Sequence, residues 1–300
     1  MPEKPGDSII RELYPNDPMG NILIRLKEAT GKDWRPTQIN DRARKLDVQR
    51  NREQSIPPAG GDLYEIPRIT AERVIIASDL HVPFHNRAMI TRLLDLGEAL
   101  GVQTLVIIGD LFDNWVFSRF EHRTREIPWK EERKAADAII GQMLKVFSDI
   151  HIIPGNHDVR ILRQLQFQIT FPDLCQLLES GKHVKEYLYP RILLNNNSIL
   201  VHPGSYSRRP AAVPIELVGK YRKDVYMGHT HVQALAWDPS GQNLAVEVGC
   251  LVDQARTDYK NLDVTTHPEW IPGFVAVLNG ETFLFNERTN WSRWIKKELP

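Results

Sequence analysis

The chain has 300 residues, of which 42% are hydrophobic and 25% are charged, and its formal net charge is +0. This composition is ordinary for a globular protein, and the neutral balance excludes a partner that is recognised through global charge. No stretch is apolar enough to span a bilayer, and the N-terminus lacks the pattern of a secretory signal. The two cysteines, Cys175 and Cys250, lie far apart in apolar surroundings, which favours reduced thiols. We therefore expect a cytoplasmic protein without a membrane partner.

Residues 1–55 are predicted to form a small helical domain, because apolar residues recur at helical spacing in three short segments. The last segment follows Thr37, which is a plausible N-cap. It carries the cations Arg42, Arg44 and Lys45. A short turn that leads into a basic helix resembles a helix-turn-helix or Myb-like unit, so we consider nucleic acid as a partner. The alternative is a helical cap with a solvated charged face, because acidic residues are interleaved with the basic ones.

Residues 56–70 are predicted to be a linker, because the stretch 55–61 is rich in Pro and Gly. From residue 71 to residue 300, short apolar runs alternate with amphipathic segments, which predicts an α/β domain. The predicted strands are 74–77, 104–108, 151–153, 192–194, 199–201, 225–227, 232–237, 244–248, 274–278 and 282–285. The predicted helices are 88–100, 131–147, 160–166, 172–179 and 215–221.

Polar residues stand directly after five of the predicted strands. They are Asp79 and His81; Asp110 and Asp113; Asn156, His157 and Asp158; His202; and His229 and His231. Side chains at strand ends can converge on a cleft, because the backbone leaves the sheet there. In Asp79-Leu80-His81, an extended backbone would place the carboxylate and the imidazole on the same side, as a metal site requires. Mixed carboxylate, imidazole and amide ligands suit Mn, Fe, Co, Ni or Zn better than Ca or Mg.

The motifs D-x-H, G-D-x-x-D, G-N-H-D, a lone H and G-H-x-H occur in this order between residues 79 and 231. Their content and order closely resemble the calcineurin-like metallophosphoesterases. The resemblance implies a four-layer α/β/β/α sandwich with a two-metal site at the strand ends, preceded in this chain by the small helical domain. It also implies a hydrolase whose partner is a phosphate-ester substrate.

The same resemblance implies which residues hold the two metal ions. The first ion would be held by Asp79, His81, Asp110 and His231. The second would be held by Asp110, Asn156, His202 and His229, so that the Asp110 carboxylate bridges the two ions. The implied cofactors are two divalent transition metal ions, with manganese as the first choice and iron, zinc, cobalt or nickel as alternatives.

His157 and Asp158 are the predicted catalytic residues. The resemblance implies that a metal-bridging hydroxide attacks phosphorus in line, while His157 protonates the leaving alkoxide as general acid. Asp158 is expected to orient the ring of His157. Asp113 is expected to hydrogen-bond a ligand histidine, with an acid at a helix N-terminus as the alternative.

The motifs also depart from those of the Ser/Thr protein phosphatases. Asn114 stands where those enzymes have an arginine after G-D-x-x-D, and the next motif is G-N-H-D, not G-N-H-E. The sequence instead resembles the phosphodiesterase and DNA-repair nuclease branches, which predicts phosphodiester substrates in nucleotides or nucleic acid. Arg160 and Arg208 are candidates for compensating phosphate contacts. The loops expected to shape the substrate pocket are 84–87, 114–130 and 205–214.

Two alternatives remain open at this point. The first is a phosphomonoesterase or protein phosphatase, which the missing arginine disfavours. The second is a non-enzymatic nucleic-acid-binding protein that keeps the fold. The filled ligand positions argue against this second alternative, because a degenerate member would lose ligands. The sequence does not predict the oligomeric state.

Overall fold

The computed structural model describes residues 3–51, 65–118, 127–261 and 268–295. The chain divides into two compact units, Met1–Tyr64 and Glu65–Pro300. Most of the predicted linker, and the middle of the predicted pocket loop 114–130, lie outside the described residues. Among the residues that are described, no helix has the length and apolar character needed to cross a membrane.

The described part of the N-terminal unit contains three helices. They are α1 (Asp7–Leu13), α2 (Met19–Thr30) and α3 (Pro36–Lys45). A small core joins them, formed by Ile10, Ile22, Leu26, Ile39 and Ala43. Helix α3 begins at Pro36, so Thr37 lies inside the helix and is not its N-cap as predicted. Proline suits the first helical position, because an N–H group has no partner there.

Helices α1 and α3 are also joined by a buried ion pair. The Arg42 guanidinium donates to both carboxylate oxygens of Asp7, with 2.6 Å from Arg42 Nε to Asp7 Oδ1. The Asp7 side chain is fully buried and that of Arg42 is 8% exposed. The hydrogen bond from Arg42 lowers the pKa of Asp7 to about 2. One of the three cations proposed to contact nucleic acid is therefore engaged inside this unit.

We expect Asp7→Ala to lower the free energy of unfolding of the N-terminal unit by about 3 kcal/mol, because it removes the carboxylate that compensates the buried charge of Arg42. Because the folded pKa of Asp7 is depressed to about 2, its contribution is complete above about pH 4 and is lost as pH falls toward 2. The cost of the substitution should therefore shrink over that range. Hydrogen exchange of the α1–α3 amides in the full chain measures the free energy of unfolding of this unit at each pH.

The control is Asp41→Ala, which breaks an exposed ion pair with Arg44 and should lower the free energy of unfolding by less than about 1 kcal/mol. Equal costs for the two variants would contradict the prediction.

The residues described in the second unit form two six-stranded sheets. The strands are β1 (Arg68–Ile69), β2 (Arg73–Ala77), β3 (Thr104–Ile108), β4 (Asp149–Ile153), β5 (Lys185–Glu186), β6 (Arg191–Leu194), β7 (Ser198–Val201), β8 (Asp224–Met227), β9 (Gln233–Trp237), β10 (Leu244–Val248), β11 (Gly273–Leu278) and β12 (Glu281–Asn286). The helices are α4 (Arg87–Leu100), α5 (Trp129–Met143), α6 (Val159–Gln164), α7 (Phe171–Cys175), α8 (Ala212–Tyr221) and α9 (Asp258–Asn261).

The strand order is β1-β6-β7-β8-β10-β9 in one sheet and β12-β11-β2-β3-β4-β5 in the other. Strands β2, β3, β4 and β5 are parallel, and β7 is parallel to β8. Both sheets are mixed, because the β6–β7, β9–β10, β2–β11 and β11–β12 pairs are antiparallel. Parallel strands present their carboxyl ends at one edge of a sheet, which is where the predicted site residues begin.

The two sheets pack face to face, with helices on their outer faces. Along β2, Val74 and Ile76 point into a core between the sheets. Their neighbours Ile75 and Ala77 point the other way, into a core formed with α4 and α5. Helix α8 covers the outer face of the other sheet through residues such as Val218. Burial on both faces explains why these strands are continuous apolar runs. The predicted α/β/β/α sandwich is confirmed.

The predicted strand bounds lie within two residues of the structure, whereas two long helices differ more: the helix predicted at 131–147 ends at Met143, and the helix predicted at 215–221 begins at Ala212. Strands 104–108 and 244–248 match at both ends. The predicted helix 172–179 is shorter, because α7 ends at Cys175. The two-residue strands β1 and β5 were not predicted, since two residues show no periodicity. Strand β1 lies in the stretch 56–70 predicted as a linker and pairs with β6.

Candidate metal centre

The five polar clusters predicted from the sequence follow β2, β3, β4, β7 and β8 in the structure. The structure brings them together into one buried centre. Three overlapping groups have ligand atoms within 4.8 Å of one another: Asp79, His81 and His231; His81, Asp110 and His157; and Asp110, His202 and His229. Residues up to 152 positions apart in the chain thus meet because the sheets place the ends of their parallel strands together.

The first group contains one carboxylate and two imidazoles. His231 Nε2 lies 3.2 Å from Asp79 Oδ1 and 3.1 Å from His81 Nε2. His81 Nε2 lies 3.7 Å from Asp79 Oδ1. Three potential ligand atoms therefore point at a common space, which is the arrangement expected of residues that share a cation.

Asp110 lies between the first group and the third, of which it is a member. Its Oδ2 atom is 3.7 Å from His81 Nε2 and 3.3 Å from His202 Nε2. His202 Nε2 is also 3.4 Å from Asp79 Oδ1. A carboxylate that faces histidines of both groups has the position that a bridging ligand needs.

The donor set fits divalent metal ions. The Asn156 Oδ1 atom is buried and has no hydrogen-bond partner among the described residues, although buried amide oxygens are normally paired. Asp79, Asp110 and Asp113 are at most 1% exposed. Carboxylates buried this closely require compensating positive charge, and metal ions supply it. The described side chains therefore provide both the ligand types and the negative charge that such ions need.

At five of the seven predicted metal ligands, the backbone conformation is left-handed and not extended. The φ angles are 53° at Asp79, 44° at His81, 50° at Asp110, 83° at His229 and 60° at His231. The expectation that D-x-H lies in an extended segment is therefore wrong, although its side chains converge. Non-glycine residues with positive φ are uncommon and concentrate at functional sites. No sequence pattern signals this conformation.

Glycines at two positions allow the loops to approach. Gly109 has a φ of 88°, and a Cβ there would lie 2.3 Å from the ring of His202. A Cβ on Gly155 would lie 2.4 Å from the backbone nitrogen of Asp110. The glycines of G-D and G-N in the motifs are thus required by close packing around Asp110.

His157 and its neighbours form the rim of the centre. The Asp113 Oδ1 atom lies 3.0 Å from His157 Nδ1 and 2.8 Å from His81 Nδ1, so Asp113 orients both rings. The contact with His81 is the expected hydrogen bond from Asp113 to a predicted ligand histidine.

The two predicted arginines differ in their positions. Arg160 Nη2 lies 2.9 Å from His157 Nε2, and Arg160 Nη1 donates to the Asp113 carbonyl oxygen at 3.0 Å. Arg208 is exposed in the loop between β7 and α8. Of the two predicted arginines, the structure brings Arg160 to the centre.

The position of Asp158 requires a correction. Its Oδ2 accepts a hydrogen bond from Gly155 N–H at 2.8 Å, and its Oδ1 accepts one from Phe112 N–H at 2.9 Å. Both oxygens are thus occupied by the loops after β3 and β4. The ring of His157 is held by Asp113, and the prediction that Asp158 orients it is wrong. Burial raises the pKa of Asp158 to about 7.

Burial and hydrogen bonding set the charges of the remaining groups. Burial opposes ionisation of Asp113, but hydrogen bonds from His157 and His81 outweigh it and hold the pKa of this carboxyl far below its usual range. Burial lowers the pKa of His229 to about 4. Asp113 is therefore an anion at neutral pH, and His229 is neutral, the form in which imidazole binds metal.

Three residues beside the centre were not predicted from the sequence. The Glu132 carboxylate of α5 accepts from the backbone N–H of Asn114. The Glu247 carboxylate of β10 accepts from Thr230 Oγ1 at 2.9 Å. The Trp270 ring lies edge-on to the His231 ring, with 4.2 Å between centroids. Single buried glutamates on a helix or strand have no sequence signal, because their partners are backbone groups elsewhere.

A two-sheet sandwich with a His/Asp cluster at its strand ends is the architecture of a metallophosphoesterase. The sequence model of the calcineurin-like phosphoesterases matches residues 72–238, more than half of the chain. The chain therefore belongs to the calcineurin-like phosphoesterase family. The resemblance stated from the motifs is confirmed.

Several solved structures are similar to this chain. Vps29 from Chaetomium thermophilum is 12% identical, with a TM-score of 0.37 over 69% of this chain and 81% of that chain. Vacuolar protein sorting 29 from Cryptosporidium parvum is 13% identical, with a TM-score of 0.37 over 72% and 98%. TT1561 of Thermus thermophilus is 9% identical, with a TM-score of 0.39 over 72% and 99%. No curated protein matches the sequence.

Proposed function

We propose that this protein is a phosphoesterase that depends on two divalent metal ions and hydrolyses phosphodiesters of nucleotides or nucleic acid. The observation that carries the proposal is the convergence of aspartate and histidine side chains from five strand ends, together with the buried Asn156 Oδ1 atom that has no hydrogen-bond partner among the described residues. One ion would be held by Asp79, His81, Asp110 and His231, and the other by Asp110, Asn156, His202 and His229. When bound, the ions polarise the phosphate and supply a strong nucleophile at neutral pH. Manganese is the first choice, because carboxylate, amide and imidazole ligands are mixed.

His157 is proposed as the general acid. Its Nδ1 faces the Asp113 carboxylate at 3.0 Å, so Nε2 is the nitrogen that exchanges a proton with the substrate. When unprotonated, Nε2 accepts from Arg160 Nη2 at 2.9 Å. The Asp113 anion stabilises the protonated ring, just as a carboxylate does behind other catalytic histidines. Proton donation from Nε2 to the leaving alkoxide oxygen completes the cleavage of its bond to phosphorus.

Arg160 is proposed as the phosphate contact, and Arg208 as a second contact from its exposed loop. The Arg160 guanidinium lies beside His157 Nε2, in the region that a substrate must occupy for proton transfer. The Asn114 side chain, at the position of the missing arginine, donates instead to the carbonyl oxygens of His157 and Asp158. Among the described residues, Arg160 supplies the guanidinium beside the centre, which suits a diester with its one negative charge better than a monoester, which carries up to two.

The assay that tests this proposal compares ester classes on the full chain loaded with Mn²⁺. We expect hydrolysis of bis(p-nitrophenyl) phosphate with a kcat/KM above that for p-nitrophenyl phosphate. Cyclic nucleotides and single- and double-stranded DNA then separate nucleotide from nucleic-acid substrates. A preference for the monoester would favour a phosphomonoesterase, and turnover of no ester with any of Mn²⁺, Fe²⁺, Zn²⁺, Co²⁺ or Ni²⁺ would refute an enzymatic role.

We also propose that the protein acts in the cytoplasm. Cys175 and Cys250 are buried free thiols, which persist in a reducing compartment. Nucleic acid as a partner of the N-terminal unit stays a prediction. Arg44 and Lys45 are exposed on α3, whereas Arg42 is paired with Asp7.

A further inference from the structure

Glu132 is a carboxylate buried beside the metal centre. It lies on α5 and is 0% exposed. Its two oxygens face two backbone donors: Oε1 accepts from Asn114 N–H, and Oε2 accepts from Trp115 N–H at 3.4 Å. Burying a carboxylate is costly unless its oxygens are hydrogen-bonded. The two N–H groups that satisfy it belong to the loop after β3, directly following Asp113.

Asn114 connects this loop to the next one. Its φ is 51°, and its side chain is fully buried. The Nδ2 atom donates to the carbonyl oxygen of His157 at 3.1 Å and to that of Asp158 at 3.2 Å. Glu132 thus holds Asn114 from the side of α5, while Asn114 holds the loop after β4.

We propose that Glu132, acting with Asn114, is the positioning residue that places the Asp113 carboxylate between His81 and His157. Asp113 is joined to Asn114 in the chain, and its Oδ1 lies 2.8 Å from His81 Nδ1 and 3.0 Å from His157 Nδ1. A shift of this loop therefore turns one proposed metal ligand and the proposed general acid together. The inference rests on the proposed function for its catalytic part, but its effect on metal binding does not require turnover.

Hydrogen-bond geometry favours glutamate at this position: burial raises the pKa of Glu132 to about 8, and the N–H groups of Asn114 and Trp115 oppose this rise. Each carboxylate oxygen accepts from one N–H group, so both donors are satisfied. A glutamine has one oxygen and one NH₂ group, and the NH₂ would face an N–H donor. Glu132→Gln keeps the size of the side chain and loses one of the two contacts.

The test compares Glu132→Gln with Glu131→Gln, its neighbour on α5, which is exposed and paired with Lys134. Two quantities are measured on the full chain: Mn²⁺ affinity of the metal-free protein by titration calorimetry, and kcat and KM with bis(p-nitrophenyl) phosphate. We expect Glu132→Gln to weaken Mn²⁺ binding and to lower kcat by about 10- to 100-fold each, with KM changed much less. Glu131→Gln should match the wild type.

Asn114→Gly is a second variant for the same contact, because glycine tolerates the left-handed backbone at this position. We expect it to weaken Mn²⁺ binding and to lower kcat as Glu132→Gln does, and it replaces Glu132→Gln if Glu132→Gln does not fold.

A double-mutant cycle shows whether Glu132 acts through Asp113. In an Asp113→Asn background, Glu132→Gln should have little further effect, because the carboxylate that it positions is already gone. Full additivity, or unchanged Mn²⁺ affinity and kcat in both Glu132→Gln and Asn114→Gly, overturns the inference. If the wild type hydrolyses no ester, the proposed function fails. The Mn²⁺ titrations still test the role of Glu132 in that case. Weaker Mn²⁺ binding in Glu132→Gln and Asn114→Gly supports the inference, and unchanged binding overturns it.

Discussion

Asp110→Ala is expected to lower kcat/KM for bis(p-nitrophenyl) phosphate by about a thousandfold or more, which corresponds to at least about 4 kcal/mol of transition-state stabilisation. The reason is the position of Asp110 Oδ2, which lies 3.7 Å from His81 Nε2 and 3.3 Å from His202 Nε2. Removing this carboxylate takes a ligand from both proposed ions at once. Steady-state kinetics and metal analysis of the purified protein measure the two consequences together.

The control for this prediction must separate charge from backbone conformation. Asp110 has a φ of 50°, where alanine is strained, whereas asparagine tolerates that region. Asp110→Asn also keeps an oxygen that can accept from His157 N–H, as Asp110 Oδ1 does at 2.7 Å. Both variants should be inactive if the charge is needed. Full activity in either of them would remove Asp110 as the bridging ligand.

His157→Ala is expected to slow hydrolysis by about 10²- to 10⁴-fold for diesters with poor leaving groups, while two metal ions remain bound. With p-nitrophenolate, which leaves readily without a proton, the loss should be much smaller. The measurement is kcat/KM across a series of aryl diesters whose phenols differ in pKa. A steeper dependence on that pKa in the variant identifies the lost proton donor.

The structure offers a matched variant for His157. Arg160→Lys keeps a positive charge near His157 Nε2 but loses the planar guanidinium, so we expect it to raise KM more than it changes the leaving-group dependence. If His157→Ala lost the same factor for every leaving group, His157 would not be the acid.

The sequence predicted the parts of this protein that follow simple periodicity or covalent order. Strands such as β3 and β10 are short apolar runs buried on both faces, so their bounds are visible in the chain. The proposed ligands stand at fixed distances after those strands. Their convergence within each sheet could therefore be predicted once β2, β3 and β4, and likewise β7 and β8, were known to be parallel neighbours, whereas convergence across the two sheets depends on how the sheets pack.

The remaining features depend on contacts between distant segments. Asp158 follows His157 directly, yet its carboxylate is taken by N–H groups of two loops, and Asp113, 44 residues earlier, holds the ring. Glu132 escaped prediction because its partners are backbone groups. The left-handed conformation of the ligand residues also has no clear signal in residue type, since it is uncommon even for aspartate and histidine, which adopt it more often than most residues.

The left-handed backbone of the histidine ligands makes selection for stability oppose selection for metal binding. A side chain larger than glycine in the left-handed region costs roughly 1–2 kcal/mol per residue, and His81, His229 and His231 all adopt it. Glycine would relieve the local cost at each position but could hold no ion. Laboratory evolution under selection for thermal stability alone should therefore accumulate glycine at these three positions. The selected variants should be more stable than the wild type and catalytically inactive.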